Sequence, residues 1–181
     1  TSGVYATDDQ GVVDVTGAAN RDAAISGSVP ASQIDSLVSA VSDVVTAKDG
    51  VILGKSDVFL EGRRNFVRTQ ETNMGNLTAD ANLAVAKSFD SAVQVSLKNG
   101  GGIRSEIGSI DGFTGELLPT SANPAAGKNA GDISQLDIES TLRFNNGLTL
   151  LTVSANELRL LLEHGVAATD AEGNNTPGQF P

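Results

Sequence analysis

The chain of 181 residues has no cysteine, no tryptophan, one methionine and a single histidine, His164. Without cysteine, neither a disulfide framework nor a thiolate metal site is available. No Ser-His-Asp arrangement and no phosphate-binding P-loop is present. Positive charge is scarce. The net charge is −10 and the isoelectric point about 4.4, which argues against non-specific binding to nucleic acid or to anionic membranes. No apolar run approaches the roughly 20 residues that span a bilayer. No secretory leader is recognisable. The chain opens on Thr1 and stops at Gly178-Gln179-Phe180-Pro181 without a closing helix or strand, as expected of a piece of a longer polypeptide that has lost any leader.

The length suffices for one domain with a core, or for a domain plus an arm. Residues 1–31 are rich in Gly, Ala, Asp, Thr and Val and hold no sustained period. They are expected to form an extended arm or interdomain linker carrying short strands. Residues 32–181 are expected to form the domain. Ser32 is placed as a helix N-cap, and Ile34, Leu37, Val38, Val41, Val44 and Val45 form one apolar stripe for packing, ended by Asp49-Gly50. Val51 to Gly54 and Val58 to Leu60 have strand character. A second helix is expected over Thr69 to Phe89, with Met74, Leu77, Ala81, Ala84, Val85 and Phe89 on one face and capping side chains at its start. Leu148 to Val153 predicts a strand. The capping box Ser154-Ala155-Asn156-Glu157 opens a helix that ends at Gly165. The fold class is α/β, a mixed sheet flanked by a few helices.

Two stretches carry chemistry. Arg63, Arg64 and Arg68 are three of only seven arginines and lie within six residues. Arg64 and Arg68, four apart, share a face on a helix and also on a strand. A guanidinium stays charged and donates two parallel hydrogen bonds, which suits phosphate. The helix that follows would turn its positive N-terminus toward the same anion. The alternative is a pair of solvated surface arginines. The other stretch is Asn99-Gly100-Gly101-Gly102-Ile103-Arg104, after the alternating run Ala92 to Leu97, which has the pattern of a half-buried strand. Three glycines permit positive φ and a close backbone approach, with an amide on one side and a guanidinium on the other. Its alternative is a tight turn with a surface arginine. Thr120 to Asp132 has the composition of a surface excursion. Asp132, Asp137 and Glu139 lack EF-hand spacing and are expected to be solvated acids.

The segments Glu71-Thr72-Asn73-Met74-Gly75-Asn76-Leu77-Thr78-Ala79-Asp80-Ala81, Asn99-Gly100-Gly101-Gly102-Ile103-Arg104 and Leu162-Glu163-His164-Gly165-Val166 together resemble the C-terminal domain of the 5′-nucleotidase family. That family includes UDP-sugar hydrolases, cyclic-nucleotide phosphodiesterases and surface nucleotidases. The resemblance runs from Ile34 to Val166. It implies a substrate-binding domain whose polypeptide also has an N-terminal metallophosphoesterase domain holding two divalent metal ions and the attacking water. The active site would form where the two domains meet, in a periplasmic or extracellular enzyme. By motif position, Arg64 and Arg68 match arginines that contact phosphate or ribose, and Asn99, Gly101 and Arg104 match the family's Gly-rich loop. The family's Pro-Phe-Gly-Asn segment, whose Phe stacks on the base, reads Arg143-Phe144-Asn145-Asn146 here. Phe144 and Asn146 keep the aromatic and the amide, while Arg143 and Asn145 replace Pro and Gly. A second stacking Phe and an acid are implied beyond Pro181.

No catalytic residue and no metal ligand are assigned to this chain, since one histidine near a helix end does not make a dinuclear centre. The expected ligand is a nucleotide or other phosphate ester. Alternative readings are a broader alkaline phosphatase or cyclic-nucleotide phosphodiesterase, and a non-catalytic extracellular interaction module. An open sheet edge offers a route to a homodimer.

Overall fold

The computed structural model describes residues 6–167. The expected tail at Gly178 to Pro181 lies outside them. The chain divides into two compact units, at Ala47 and Lys48.

The first unit differs from the expected extended arm. It holds helix α1 (Asp9–Thr16), helix α2 (Arg21–Ser26) and most of helix α3 (Val29–Asp49). The cause is local. The Asp8 carboxylate accepts the Gly11 amide and the Asn20 side chain accepts the Ala23 amide, so each short helix has an N-cap. Gly17, at φ 69°, ends α1 in the left-handed region that glycine tolerates. Arg21 binds the carboxylate of Asp35 on α3. That helix starts at Val29, three residues before Ser32, because proline is compatible with a first helical turn. Its apolar stripe was expected to pack. Instead Ile34, Leu37, Val38, Val41 and Val44 are all more than half exposed.

In the second unit, strand β1 (Ile52–Lys55) pairs antiparallel with strand β4 (Asp132–Ser134) through Ile52–Ser134, Gly54–Ile133 and Lys55–Asp132, with a bulge after Ile52. Strands β2 (Ser109–Ile110) and β3 (Leu117–Leu118) form a hairpin. The domain is therefore mixed α/β, with antiparallel pairs as its described sheets. Leu60 is joined to Ile107 by a reciprocal pair of backbone hydrogen bonds of 2.9 and 3.1 Å. Helix α4 (Arg64–Val67) follows, then α5 (Asn73–Phe89), whose cap is the Thr72 hydroxyl. Helix α6 (Gln135–Thr141) and helix α7 (Ala155–Gly165) each open on a capping box, Ser134 with Asp137 and Ser154 with Glu157.

The core is small. Leu60, Val67, Met74, Ile103, Ile107 and Ile133 are buried together, with Ile138 and Leu142 packed against them. Each comes from a different stretch of chain or from the two sides of one turn, so the cluster ties α4, α5, α6 and the glycine loop together by apolar burial.

Two expected strands are absent from the ladders. Residues 92–97 and 148–153 pair with no strand among the described residues, and Val95, Leu97 and Leu151 are exposed. Alternation specifies which face a strand would bury, but a ladder also needs a neighbouring strand within reach. The stretch Thr120 to Asp132 runs over the surface for most of its length, with Ser121, Ala122, Pro124, Ala125, Gly127, Asn129 and Ala130 exposed, but it is anchored at three points. Thr120, Lys128 and Asp132 are buried. The Lys128 ammonium donates to Asp49 at 2.8 Å and to Asp137 at 2.7 Å, and Ser134 and Asn123 also donate to Asp49. The acids expected to be solvated are all engaged. Asp137 holds Lys128, Glu139 holds Lys48, and Asp132 accepts the Asn129 amide.

Candidate anion-binding site

Backbone packing brings the two charged stretches together. A Cβ placed on Gly62 would lie 2.1 Å from the Ser105 carbonyl oxygen. Only glycine lets residues 60–62 lie this close to residues 105–107, and α4 begins two residues later. The glycine loop then faces α4. Gly100–Gly102 form a 3-10 turn, capped by the Asn99 side chain, which accepts the Gly101 amide at 2.9 Å. None of the three has positive φ. Gly101 is needed for space instead. A Cβ there would meet the Asn99 side-chain oxygen at 3.1 Å and Nη2 of Arg68 at 3.3 Å.

Arg68 is the side chain on which the arrangement turns. Its Nε is buried and has no hydrogen-bond partner. Burial lowers its pKa, and the charges of Arg64 and Arg104 lower it further. A guanidinium remains protonated under such conditions. The result is a desolvated donor facing two more cations. Arg21, Arg63 and Arg159 have carboxylate partners, whereas Arg64, Arg68 and Arg104 have none among the described residues. Arg63 is separate from the cluster: it binds Glu61 and lies over the rings of Phe59 and Phe66, at 5.4 and 4.4 Å to the centroids.

Arg104 joins the cluster to Phe144. Its amide donates to the Thr141 carbonyl at 2.9 Å, and its Nη1 donates to the Gly101 carbonyl at 3.3 Å. Its guanidinium carbon lies 5.5 Å from the Phe144 ring centroid, within cation–π range. Phe144 is half exposed. Beside it is an open cleft of about 340 Å³ lined by Glu139, Leu142, Arg143, Phe144 and Asn145. The three arginines do not line this cleft. Asn146 is exposed in the same segment, and no hydrogen bond ties it to the cluster among the described residues. Arg143, in place of the family's proline, donates to the Ser140 carbonyl at the end of α6.

Sequence reasoning missed Gly62, Thr141 and Lys128. Gly62 stands directly before the arginines, and the Ser134 to Asp137 capping signal resembles the one recognised at Ser154. The contacts of Lys128 and Thr141 left no local mark. Among the described residues, no group of three His, Asp or Glu is arranged to hold a metal ion, and no helix is long and apolar enough to cross a membrane.

Residues 52–181 match the model of the 5′-nucleotidase C-terminal domain. The chain belongs to this family. The match begins at β1 and takes in the glycine loop, α4 and the Phe144 segment. The trifunctional nucleotide phosphoesterase protein YfkN of Bacillus subtilis (strain 168) is 31% identical over 149 residues, which are 82% of this chain and 8% of that protein. Protein 5NUC of Lutzomyia longipalpis is 32% identical over 122 residues, 64% of this chain and 18% of its own. Human 5′-nucleotidase is 31% identical over 119 residues, 63% of this chain and 18% of its own. The chain thus spans less than a fifth of each of these relatives. No solved structure matches it significantly.

Proposed function

We propose that this 5′-nucleotidase C-terminal domain recognises the substrate for a phosphatase that hydrolyses nucleoside monophosphates or related phosphate esters. The buried, unpartnered Nε of Arg68 between two further guanidiniums is the observation that carries this reading. A phosphate would supply the missing acceptor and neutralise the cluster, and charge-assisted bonds of this kind are the strong ones. In this reading Arg64, Arg68 and Arg104 take the phosphate, and Gly101 lets the loop backbone come close to it. Phe144 stacks on the base, and Asn99 and Asn146 orient ribose or base. The hydrolytic step belongs to two divalent metal ions and an attacking water in an N-terminal metallophosphoesterase domain of the same polypeptide. The names of the relatives, all nucleotidases or nucleotide phosphoesterases apart from Protein 5NUC, support this assignment. A periplasmic or extracellular setting goes with it.

A broader substrate range is favoured by one observation. The half-exposed Phe144 borders an open cleft, and Arg143 and Asn145 stand where the family has proline and glycine. Isothermal titration with AMP, adenosine and ribose 5-phosphate separates the two readings. A nucleotide-selective site binds AMP more tightly than either part, whereas a relaxed site binds ribose 5-phosphate as well as AMP. In both cases Arg68→Ala weakens phosphate esters by about 10- to 100-fold, the loss of one or two charged hydrogen bonds. An Arg68→Ala variant that binds AMP as tightly as the unmodified chain sinks the assignment.

A further inference from the structure

Thr141 is fully buried, at 0% exposure, at the last position of α6. Nothing in the recognition scheme uses it. Its hydroxyl lies 3.2 Å from the Ser105 hydroxyl and donates to the Glu106 carbonyl at 3.4 Å. Its carbonyl accepts the Arg104 amide at 2.9 Å. One buried residue therefore grips three successive residues, 104 to 106, by both main chain and side chain. Three residues further on, the same segment presents Phe144, whose ring meets the Arg104 guanidinium. Gly62 also abuts this segment, at the Ser105 carbonyl and the Glu106 amide. The segment is thus held by Gly62 and by Thr141, and Thr141 is the grip that leads on to Phe144.

We propose that Thr141 is a positioning residue that fixes the distance between the Arg104 guanidinium and the Phe144 ring, so that the site measures the span between an anionic group and a planar ring in one ligand. This deepens the recognition reading given above and rests on it. A ligand in which phosphate and ring are covalently joined must meet both groups at their set spacing. Phosphate alone or a nucleoside alone can shift to suit either one. Joining the two halves gains affinity only when the geometry lets both engage at once. The hydroxyl of Thr141 therefore matters to the joined ligand and little to its parts.

The test uses the 181-residue chain and two readouts. In the first, isothermal titration is run with AMP, adenosine and inorganic phosphate. Thr141→Val keeps the shape and deletes the hydroxyl. It is expected to weaken AMP about fivefold, the scale of one neutral hydrogen bond, and to leave adenosine and phosphate within about twofold. Thr141→Ser, which keeps the hydroxyl, restores AMP. The second readout needs no ligand. The Arg104 Nε–H proton resonance is expected to be shifted by the Phe144 ring, which lies 5.5 Å from the guanidinium carbon, and Phe144→Leu gives its unshifted position. Thr141→Val loses most of that shift and Thr141→Ser keeps it. Ser105→Ala removes the hydroxyl's partner and is expected to reproduce Thr141→Val, which covers the case in which the valine variant does not fold. Equal loss of all three ligands, or an unmoved Arg104 resonance in both Thr141→Val and Ser105→Ala, overturns the proposal. If the unmodified chain fails to bind AMP while the resonance responds as expected, the positioning contact stands, and the nucleotide reading fails together with the span-measuring role.

Discussion

Replacing Lys128 with methionine is expected to cost the domain about 3–5 kcal/mol of stability, read as a lower urea midpoint. Its side chain is 5% exposed and lies between Asp49 and Asp137. Removing the ammonium leaves two carboxylates facing each other in an enclosed space, with only Ser134 and Asn123 donating to Asp49. The Lys128 cluster also predicts how stability follows pH. Burial pushes the Asp49 carboxyl up, but hydrogen bonds from Lys128, Ser134 and Asn123 and the Lys128 charge outweigh it, so its pKa lies below the ordinary value. Its contribution is then present above about pH 3.9 and is lost as pH falls through the lower folded value. Burial pushes Lys128 down, but Asp137 and Asp49 outweigh that and hold it above its ordinary value. Its contribution is present below about pH 10.4 and is lost as pH rises through the folded value. The gap between the parent and Lys128→Met is expected to be full between those limits. It should narrow in acid, where a protonated Asp49 no longer needs the cation. A variant with an unchanged midpoint at pH 7 would show that the cluster carries no net stability.

Gly62→Ala is expected to damage both the fold and the site. The added Cβ would stand 2.1 Å from the Ser105 oxygen, 2.6 Å from its carbon and 2.9 Å from the Glu106 amide nitrogen. These are backbone atoms, so no side chain can swing aside. The two segments must separate, which opens the paired hydrogen bonds of Leu60 and Ile107. Overpacking of this kind costs about 1–3 kcal/mol or more. The same movement draws α4, with Arg64 and Arg68, away from the glycine loop. Phosphate-ester binding should then fall even where the variant remains folded. Gly112→Ala, with nothing within 4 Å of its Cβ, serves as the neutral control. Equal stability and equal AMP binding for the two variants would mean that the close approach at Gly62 has no role.

What the sequence made legible was mostly local. Thr72, Ser154 and Glu157 are recognisable as caps because a cap acts over three residues. Asp8 and Asn20 are caps of the same kind, hidden in a stretch whose composition suggested a linker. Spacing and motif position single out Arg64 and Arg68, but neither shows that Glu61, Phe59 and Phe66 hold Arg63. The Lys128 cluster was illegible for a different reason. Its contact with Asp49 spans 79 residues, and a single lysine among Ala, Asn and Gly gives no periodic signal. The glycine loop was singled out for the flexibility of its three glycines. What the structure shows is a demand for empty space beside Arg68. The motif resemblance carried the family where composition and periodicity gave only a fold class.

The core residues Val67 and Ile103, and Leu142 packed against the core, stand immediately beside Arg68, Arg104 and Arg143 in the chain. The fold and the proposed recognition site therefore draw on the same few peptide units. For anyone redesigning the site, this sets two grades of freedom. Arg64 to Arg68 and Gly101 to Arg104 sit in segments whose backbones are fixed by buried neighbours, so changes of size there are felt in the core. Arg143, Asn145 and Asn146 project from an exposed loop past Leu142, the last residue packed against the core. A substitution library confined to those three positions can retune what the cleft beside Phe144 accepts while leaving the apolar centre untouched.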